Sequence, residues 1–227
     1  MSEAQAPRRF GNFDANLRFI EATGILSAQA EILEIGSGTG VLLDTLRARG
    51  ARVRGVELRQ ALIDEGRAWF GELPVQKVDG VALPYPDAEF DAVMSFDVFE
   101  HIPDSDAHLA EVWRVLRPGG DYLLQTPNKW TNVAFETIRW RSFTKFREEH
   151  CSLHSLGELT HRLQAHGFAV RAYDVPVVND FFKAKVRRHL GPIGAAALRV
   201  VNPDRLPLAM RTNLYVRGTR PGGPLRA

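Results

Sequence analysis

The 227 residues carry 29 Lys and Arg against 27 Asp and Glu, for a net charge of +2, and 44% are hydrophobic and 25% charged. That balance excludes a disordered polyelectrolyte and a strongly basic nucleic-acid binder, and the length suits one α/β domain with an appendage. Cys151 is the only cysteine, so no intramolecular disulfide can form; no apolar run is long enough to span a bilayer, and the start Met-Ser-Glu-Ala-Gln-Ala-Pro-Arg-Arg lacks the apolar stretch of a signal peptide, so a cytoplasmic location is expected.

Residues 8–27 read as an amphipathic helix (Phe13, Leu17, Ile20) inside an N-terminal helical lid assigned to 1–30. A short apolar strand (Ile32, Leu33, Ile35) then runs into Gly36-Ser37-Gly38-Thr39-Gly40, and Val41, Leu42, Leu43 and Leu46 follow at helical spacing. Glycines without a Cβ let the backbone turn sharply and approach a ligand, and the free amides at the helix start face the same space. The spacing is not the G-x-G-x-x-G of a pyrophosphate binder, because Val41 stands at the sixth position. Glu34, just before the turn, would repel a phosphate and attract a cation. The expected ligand therefore carries an adenosine and a positive charge.

The helix 41–49 closes at Gly50, and a second strand (Ala51 to Leu58) ends at Glu57. A carboxylate about 20 residues past the glycines can accept both hydroxyls of a ribose, although it could equally be a solvated strand-end group. Strand three (Val75 to Val78) ends in Asp79-Gly80, followed by Val81-Ala82-Leu83-Pro84. Strand four (Phe90 to Phe96) leads into Asp97-Val98-Phe99-Glu100-His101-Ile102. A helix over 105–116 ends in Arg117-Pro118-Gly119-Gly120, which opens strand five (Asp121 to Gln125). The capping-box pattern Ser155-Leu156-Gly157-Glu158 starts a helix that stops at Gly167, and Phe168–Val175 and Asn213–Arg217 read as strands six and seven. This alternation predicts an α/β doubly wound sheet. The core is assigned to 31–175, an insertion between strands six and seven to 176–212, and the last strand with a flexible tail to 213–227.

The acidic residue, apolar residue and G-x-G-x-G of Glu34 to Gly40, together with the run Trp113-Arg114-Val115-Leu116-Arg117-Pro118-Gly119-Gly120, resemble motifs of the class I S-adenosylmethionine-dependent methyltransferases. The matches cover 31–126 in the family's order and spacing. The resemblance implies a Rossmann-like seven-stranded sheet, mostly parallel with an antiparallel last strand, and a helical cap on the substrate side. It implies an enzyme whose cofactor is S-adenosylmethionine. Glu34, Gly36, Ser37, Gly38 and Gly40 would meet that cofactor around the first turn, with Phe96 beside them. Glu57 and Leu58 would take the ribose side, and Asp79, Gly80 and Val81 the adenine.

Three segments outside the cofactor core should make the acceptor site: the helix 8–27, which the family often folds over the cofactor, and two more. Residues 127–150 carry Trp130, Phe135, Trp140, Phe143 and Phe146, which would make either a packed helix or an aromatic lid, and their place above the active edge of the sheet favours the lid. From Asn179 to Thr212, seven Lys and Arg stand against Asp180 and Asp204, a local net charge of +5. This is a solvated face, a site for an anionic acceptor, or a contact with an anionic membrane, for which the interleaved Leu190, Ile193, Leu198, Val200 and Val201 provide apolar surface. The sequence pI of about 8.8 disfavours nucleic acid.

The chemistry points to Asp97, Glu100 and His101, just past strand four, with His101 assigned as general base and no metal. The alternative is a metal site. Asp97-Val98-Phe99-Glu100-His101 is similar to the Glu-x-x-Glu-His segment of ubiquinone-biosynthesis and small-RNA 2′-O-methyltransferases, which place a divalent metal there, and His150 could supply the later histidine. Asp97 departs from that pattern. His108, His161 and His166 read as helix-surface residues. Ser95-Phe96-Asp97-Val98 stands where amino-group methylating enzymes carry Asn-Pro-Pro-Tyr, which favours a small-molecule hydroxyl as acceptor. The competing classes are a non-catalytic S-adenosylmethionine binder and a nicotinamide-dependent oxidoreductase, the latter disfavoured by the first glycine spacing. The oligomeric state stays open.

Overall fold

The computed structural model describes residues 11–27, 29–78, 80–145 and 150–222. The strands are β1 (Glu31–Ile35), β2 (Arg52–Glu57), β3 (Val75–Lys77), β4 (Phe90–Phe96), β5 (Leu116–Pro127), β6 (Ala169–Tyr173) and β7 (Asn213–Thr219). They form one seven-stranded sheet in the order β3-β2-β1-β4-β5-β7-β6. β1 to β5 run parallel to one another, and β7 runs antiparallel to both β5 and β6. The order reverses beside β1, where β2 and β4 leave in opposite directions and open a crevice at the strand ends.

Alternation along β1 decides the two cores. Leu33 and Ile35 face one side with Val56, Val93 and Leu124. There α4 (Ser105–Val115) supplies Leu109 and Val112, and α6 (Leu156–Ala165) supplies Leu159 and Leu163. Ile32 faces the other side with Met94, Leu123 and Tyr215, under α1 (Phe13–Thr23) and α2 (Val41–Ala48). Period-two placement of apolar residues on a sheet covered on both faces gives these continuous hydrophobic runs. Phe19 and Ile20 of α1 are completely buried, and burial of each stabilises the lid helix by about 1.5–3 kcal/mol. α3 (Gln60–Phe70) and α5 (Lys129–Trp140) complete the order before α6, and α7 (Asp180–Val200) fills the β6–β7 connection.

Two elements depart from the sequence reading, and α7 has a break of its own. The lid helix is shorter than 8–27, starting at Phe13 and ending where Gly24 takes a left-handed conformation (φ 71). β5 begins at Leu116 and not at Asp121: Leu116 pairs with Phe90, the register shifts before Ala92, and Gly119 turns left-handed (φ 87). The Pro-Gly-Gly run therefore bulges the strand instead of preceding it. α7 is two helical stretches, because Gly191 has φ 62 and Pro192 has no amide to continue the first. No helix of the described residues is long and apolar enough to cross a membrane.

Candidate active site

A cavity of about 710 Å³ lies at the carboxyl ends of β1, β2 and β4. Its floor is the turn after β1. The Gly36 and Ser37 amides donate to the Val56 carbonyl at 2.8 and 3.1 Å, pinning the turn to β2. Gly36 has φ 74, and a Cβ there would collide with the Val98 side chain. Gly38 has φ 56, and a Cβ there would meet nothing within 4 Å, so the backbone is open to the cavity. Gly40 has a different job. It caps α2, its amide donating to the Ser37 carbonyl at 2.8 Å, and it is not among the lining residues.

Glu57 at the tip of β2 is buried, and its two oxygens accept from the Gly38 amide at 2.8 Å and the Arg59 amide at 2.9 Å. A carboxylate has about four acceptor positions, so each oxygen can accept again from the cavity. Glu34 faces the same space, and its Oε2 is buried with no hydrogen-bond partner among the described residues. Burial first, and the nearby Glu57 second, hold its carboxyl well above its ordinary 4.5. The Ser37 and Thr39 hydroxyls are likewise buried without partners there. Buried polar atoms in native proteins are nearly always satisfied, so these three in one lined space suit a polar, cationic ligand.

Leu58, Val78, Gly80, Val81 and Leu83 make an apolar side of the cavity, and Asp79 lies outside the described residues. Phe96 lines it from β4. The opposite wall belongs to the helix read as an N-terminal lid, of which the sequence singled out Phe13 but neither asparagine. It is Asn12, Phe13 and Asn16 at the start of α1, reached only because the helix folds back over the sheet. Of the aromatic residues of 127–150, Trp130, Phe135, Trp140 and Phe143 do not line the cavity, and Phe146 lies outside the described residues. In this structure those four form no lid over it.

Past β4, a 3₁₀ turn at Phe99–His101 points His101 into the cavity and Glu100 into the protein. Glu100 accepts from the Thr126 hydroxyl at 3.0 Å, and burial followed by the charge of Asp97 pushes its carboxyl up from 4.5 to about 8. His101 is half-exposed, with Nε2 3.9 Å from Glu100 Oε1, and its ring centroid is 5.1 Å from that of His150. Glu100, His101 and His150 offer ligand atoms within 4.8 Å of one another, a group able to hold a metal ion, while Asp97 stays outside it. His108 is not a surface residue. It is buried on α4, its Nε2 3.0 Å from the Tyr122 hydroxyl, which lies 2.6 Å from Ser95 Oγ; burial lowers this imidazole to about 4. An apolar sheet face beside α4 overrode the surface reading. His161 is exposed, and His166 bonds Asp106 at 3.0 Å.

A family model described as a methyltransferase domain matches residues 6–173, most of the chain. This chain belongs to the class I S-adenosylmethionine-dependent methyltransferases. A protein of Mycolicibacterium smegmatis named a probable S-adenosylmethionine-dependent methyltransferase is 34% identical over 143 residues, 63% of this methyltransferase and 53% of the relative. A ubiquinone biosynthesis O-methyltransferase of Xanthomonas oryzae pv. oryzae is 33% identical over 114 residues, 48% of this chain and 47% of that one. The chain thus spans about half the length of these curated relatives. Among solved structures, an S-adenosylmethionine-dependent methyltransferase from Mesorhizobium loti superposes with a TM-score of 0.66 at 18% identity, covering 93% of this methyltransferase and 98% of its own chain, a likeness of fold.

Proposed function

We propose that this methyltransferase moves the methyl group of S-adenosylmethionine to a hydroxyl of a small metabolite. The observation that carries the reading is His101, half-exposed on the cavity wall beside the buried Glu100. S-adenosylmethionine, when bound, supplies an electrophilic methyl on a positively charged sulfur. Glu34, charged again next to a cation, would balance that positive charge, and Ser37 and Thr39 would find the partners they lack. Glu57 would accept from the ribose hydroxyls while its bonds to the Gly38 and Arg59 amides hold the loop. The apolar side formed by Leu58, Val81 and Leu83 suits a flat adenine ring. Gly80 and Phe96 lie along the same rim, and Asn12, Phe13 and Asn16 of α1 exclude water from above.

Methyl transfer to oxygen needs the hydroxyl proton removed, and the enzyme mainly aligns the partners. His101 takes that proton at a ring nitrogen, and the buried Glu100 carboxyl 3.9 Å away, neutral in the resting site, would ionise more readily beside the imidazolium that results. The O-methyltransferase name of the Xanthomonas relative supports oxygen as the acceptor atom. The test is incubation with isotopically labelled S-adenosylmethionine and a metabolite extract, followed by mass spectrometry. A labelled methoxy product is expected; label only on nitrogen or carbon would overturn the hydroxyl reading. No labelled product in any extract, with the cofactor bound, would favour a non-catalytic binder.

One observation favours a second reading. The ligand atoms of Glu100, His101 and His150 converge, and a divalent ion held there would polarise the acceptor oxygen in place of a base. Activity removed by a chelator and restored by a divalent ion would establish it.

A further inference from the structure

Large exposed apolar side chains are not scattered over this molecule. Among the described residues there are nine, and the single one outside the cap, Leu58, lines the cavity. Trp130, Ile138 and Phe143 stand on or just after α5. Phe181, Ile193, Val200, Val201 and Met210 stand on α7 and the turns that follow it. Patches of this kind on a soluble fold mark interaction surfaces, whereas single exposed residues mean nothing.

The second stretch of α7 shows the pattern most clearly. Ile193, Ala196, Ala197 and Val200 are all exposed, at the i, i+3, i+4, i+7 spacing that makes one helix face, with Ile193 at 84% and Val200 at 86% exposure. Gly194 faces the other way, buried against Leu190 and Val186. The apolar stripe of this helix therefore points away from the protein, the reverse of a helix that packs on its own core. Cations flank it. Lys183, Lys185, Arg187 and Arg188 are exposed on the first stretch, and Arg199 and Arg205 on the second and after it. No carboxylate of the described residues lies within ion-pair distance of Arg187, Arg188, Arg199 or Arg205. Arg211 is a different case, buried and bonded to Asp174 at 2.8 Å with Asp204 at 3.9 Å. Leaving out Arg211 and Asp204 leaves six cations against Asp180 in this segment.

The charge selects the occupant. A second copy would bring its own cations against these, and a nucleic acid offers no apolar phase for Ile193 and Val200. We propose that the α5–α7 face docks on an anionic lipid bilayer, with the Ile193–Val200 stripe in the acyl boundary and Arg187, Arg188 and Arg199 at the headgroup phosphates. The face adjoins the lid end of the cavity: Asn179 Nδ2 donates to the Gly11 carbonyl at 3.3 Å, and the Phe181 ring packs on Gly11, one residue before Asn12. Docking there brings the α1 wall of the cavity close to the bilayer. The inference does not rest on methyl transfer, because vesicle binding is measured without turnover.

The test is co-sedimentation of the full chain with phosphatidylcholine vesicles holding about 30 mol % phosphatidylglycerol, against phosphatidylcholine alone. Binding to the anionic vesicles is expected to be at least about tenfold stronger and to weaken from 0.1 M to 1 M salt as the screening length falls from about 10 to about 3 Å. Ile193→Ser/Val200→Ser and, separately, Arg187→Ala/Arg188→Ala should each lower it about tenfold with melting temperature unchanged, since both pairs are exposed. Wild-type protein that ignores anionic vesicles, or an apolar double variant that binds them like wild type, would overturn the proposal. So would a dimer, seen by sedimentation velocity, that Ile193→Ser/Val200→Ser dissociates while vesicles bind neither form.

Discussion

The Asn12 side-chain amide donates to both carboxylate oxygens of Asp97, at 3.2 and 2.9 Å, and so ties the start of the lid helix to the end of β4. Asp97 sits at φ 54, a left-handed conformation that costs a non-glycine residue about 1–2 kcal/mol. Gln125 holds it there twice, with Oε1 accepting from the Asp97 amide at 2.9 Å and Nε2 donating to its carboxylate at 3.0 Å. Asn12 in turn accepts from the Asn213 side chain at 3.2 Å, so the lid, β4 and β7 meet at one point of the cavity rim.

Removing that tie should loosen the lid without unfolding it. Asn12→Ala deletes hydrogen bonds that are exposed to solvent, so the loss of global stability should stay below about 1 kcal/mol. Phe19 and Ile20 still anchor the rest of α1. Amide exchange in the first turn of α1 is expected to speed up while exchange in β4 stays as in wild type. Equal exchange rates in the two proteins would mean that the Asn12–Asp97 tie does not hold the first turn of α1.

Glu34 should make cofactor binding release protons. Its folded-state pKa is raised above 4.5 by burial and by Glu57. For a raised acid, the stabilisation is fully present below the unfolded value of about 4.5 and is lost as pH rises through the folded value. The contribution of Glu34 should therefore fall as pH rises above about 4.5, and the difference in stability between the cofactor-free wild type and Glu34→Gln should change with pH in that direction. A cation placed beside Glu34 favours the carboxylate and expels the proton. Calorimetry in two buffers of different ionisation enthalpy should show proton release for wild type and none for Glu34→Gln. Identical buffer dependence in both would place the cation elsewhere.

His101→Ala should lower turnover by roughly 10²–10⁴-fold with S-adenosylmethionine affinity intact, as expected for loss of a general base. The accompanying control is a chelator, which should leave wild-type turnover unchanged. His150→Ala separates the two readings further: it removes a ligand atom from the Glu100–His101 group but no base, so a loss as large as that of His101→Ala would point to metal.

The core elements were legible because their signals are local. Apolar runs of period two set β1 and β4, the glycine triplet set the first turn, and Ser155 with Glu158 set the capping box that starts α6. The tip of β2 was equally legible, since Glu57 follows an alternating strand and faces the cavity. What was not legible depends on contacts distant in sequence. Asn12 reaches Asp97 across 85 positions, and His108 is buried only because Tyr122 and Phe99 close over α4. The aromatic segment misled for the same reason: its place above the active edge of the sheet favoured a lid, yet the Phe135 ring packs edge-on against His189 of α7, at 5.9 Å. The local excess of charge in 176–212 was plain in the sequence, but the break of α7 at Gly191, which starts the stretch carrying Ile193 and Val200, was not.

Glu57 gives the most direct test of the cofactor assignment. Its carboxylate has two tasks, holding the Gly38 and Arg59 amides and offering its remaining lone pairs to the ribose. Glu57→Ala should weaken S-adenosylmethionine binding by about 2–3 kcal/mol if two charge-assisted bonds are lost. Part of any loss would come from the loosened loop, so the mutant alone cannot apportion it. A cycle with the 2′-deoxy analogue does. Wild type should discriminate against the analogue, and Glu57→Ala should bind both forms alike, because the group that reads the hydroxyl is gone. If the variant keeps the full discrimination, Glu57 only braces the turn, and the ribose is read by another group lining the cavity.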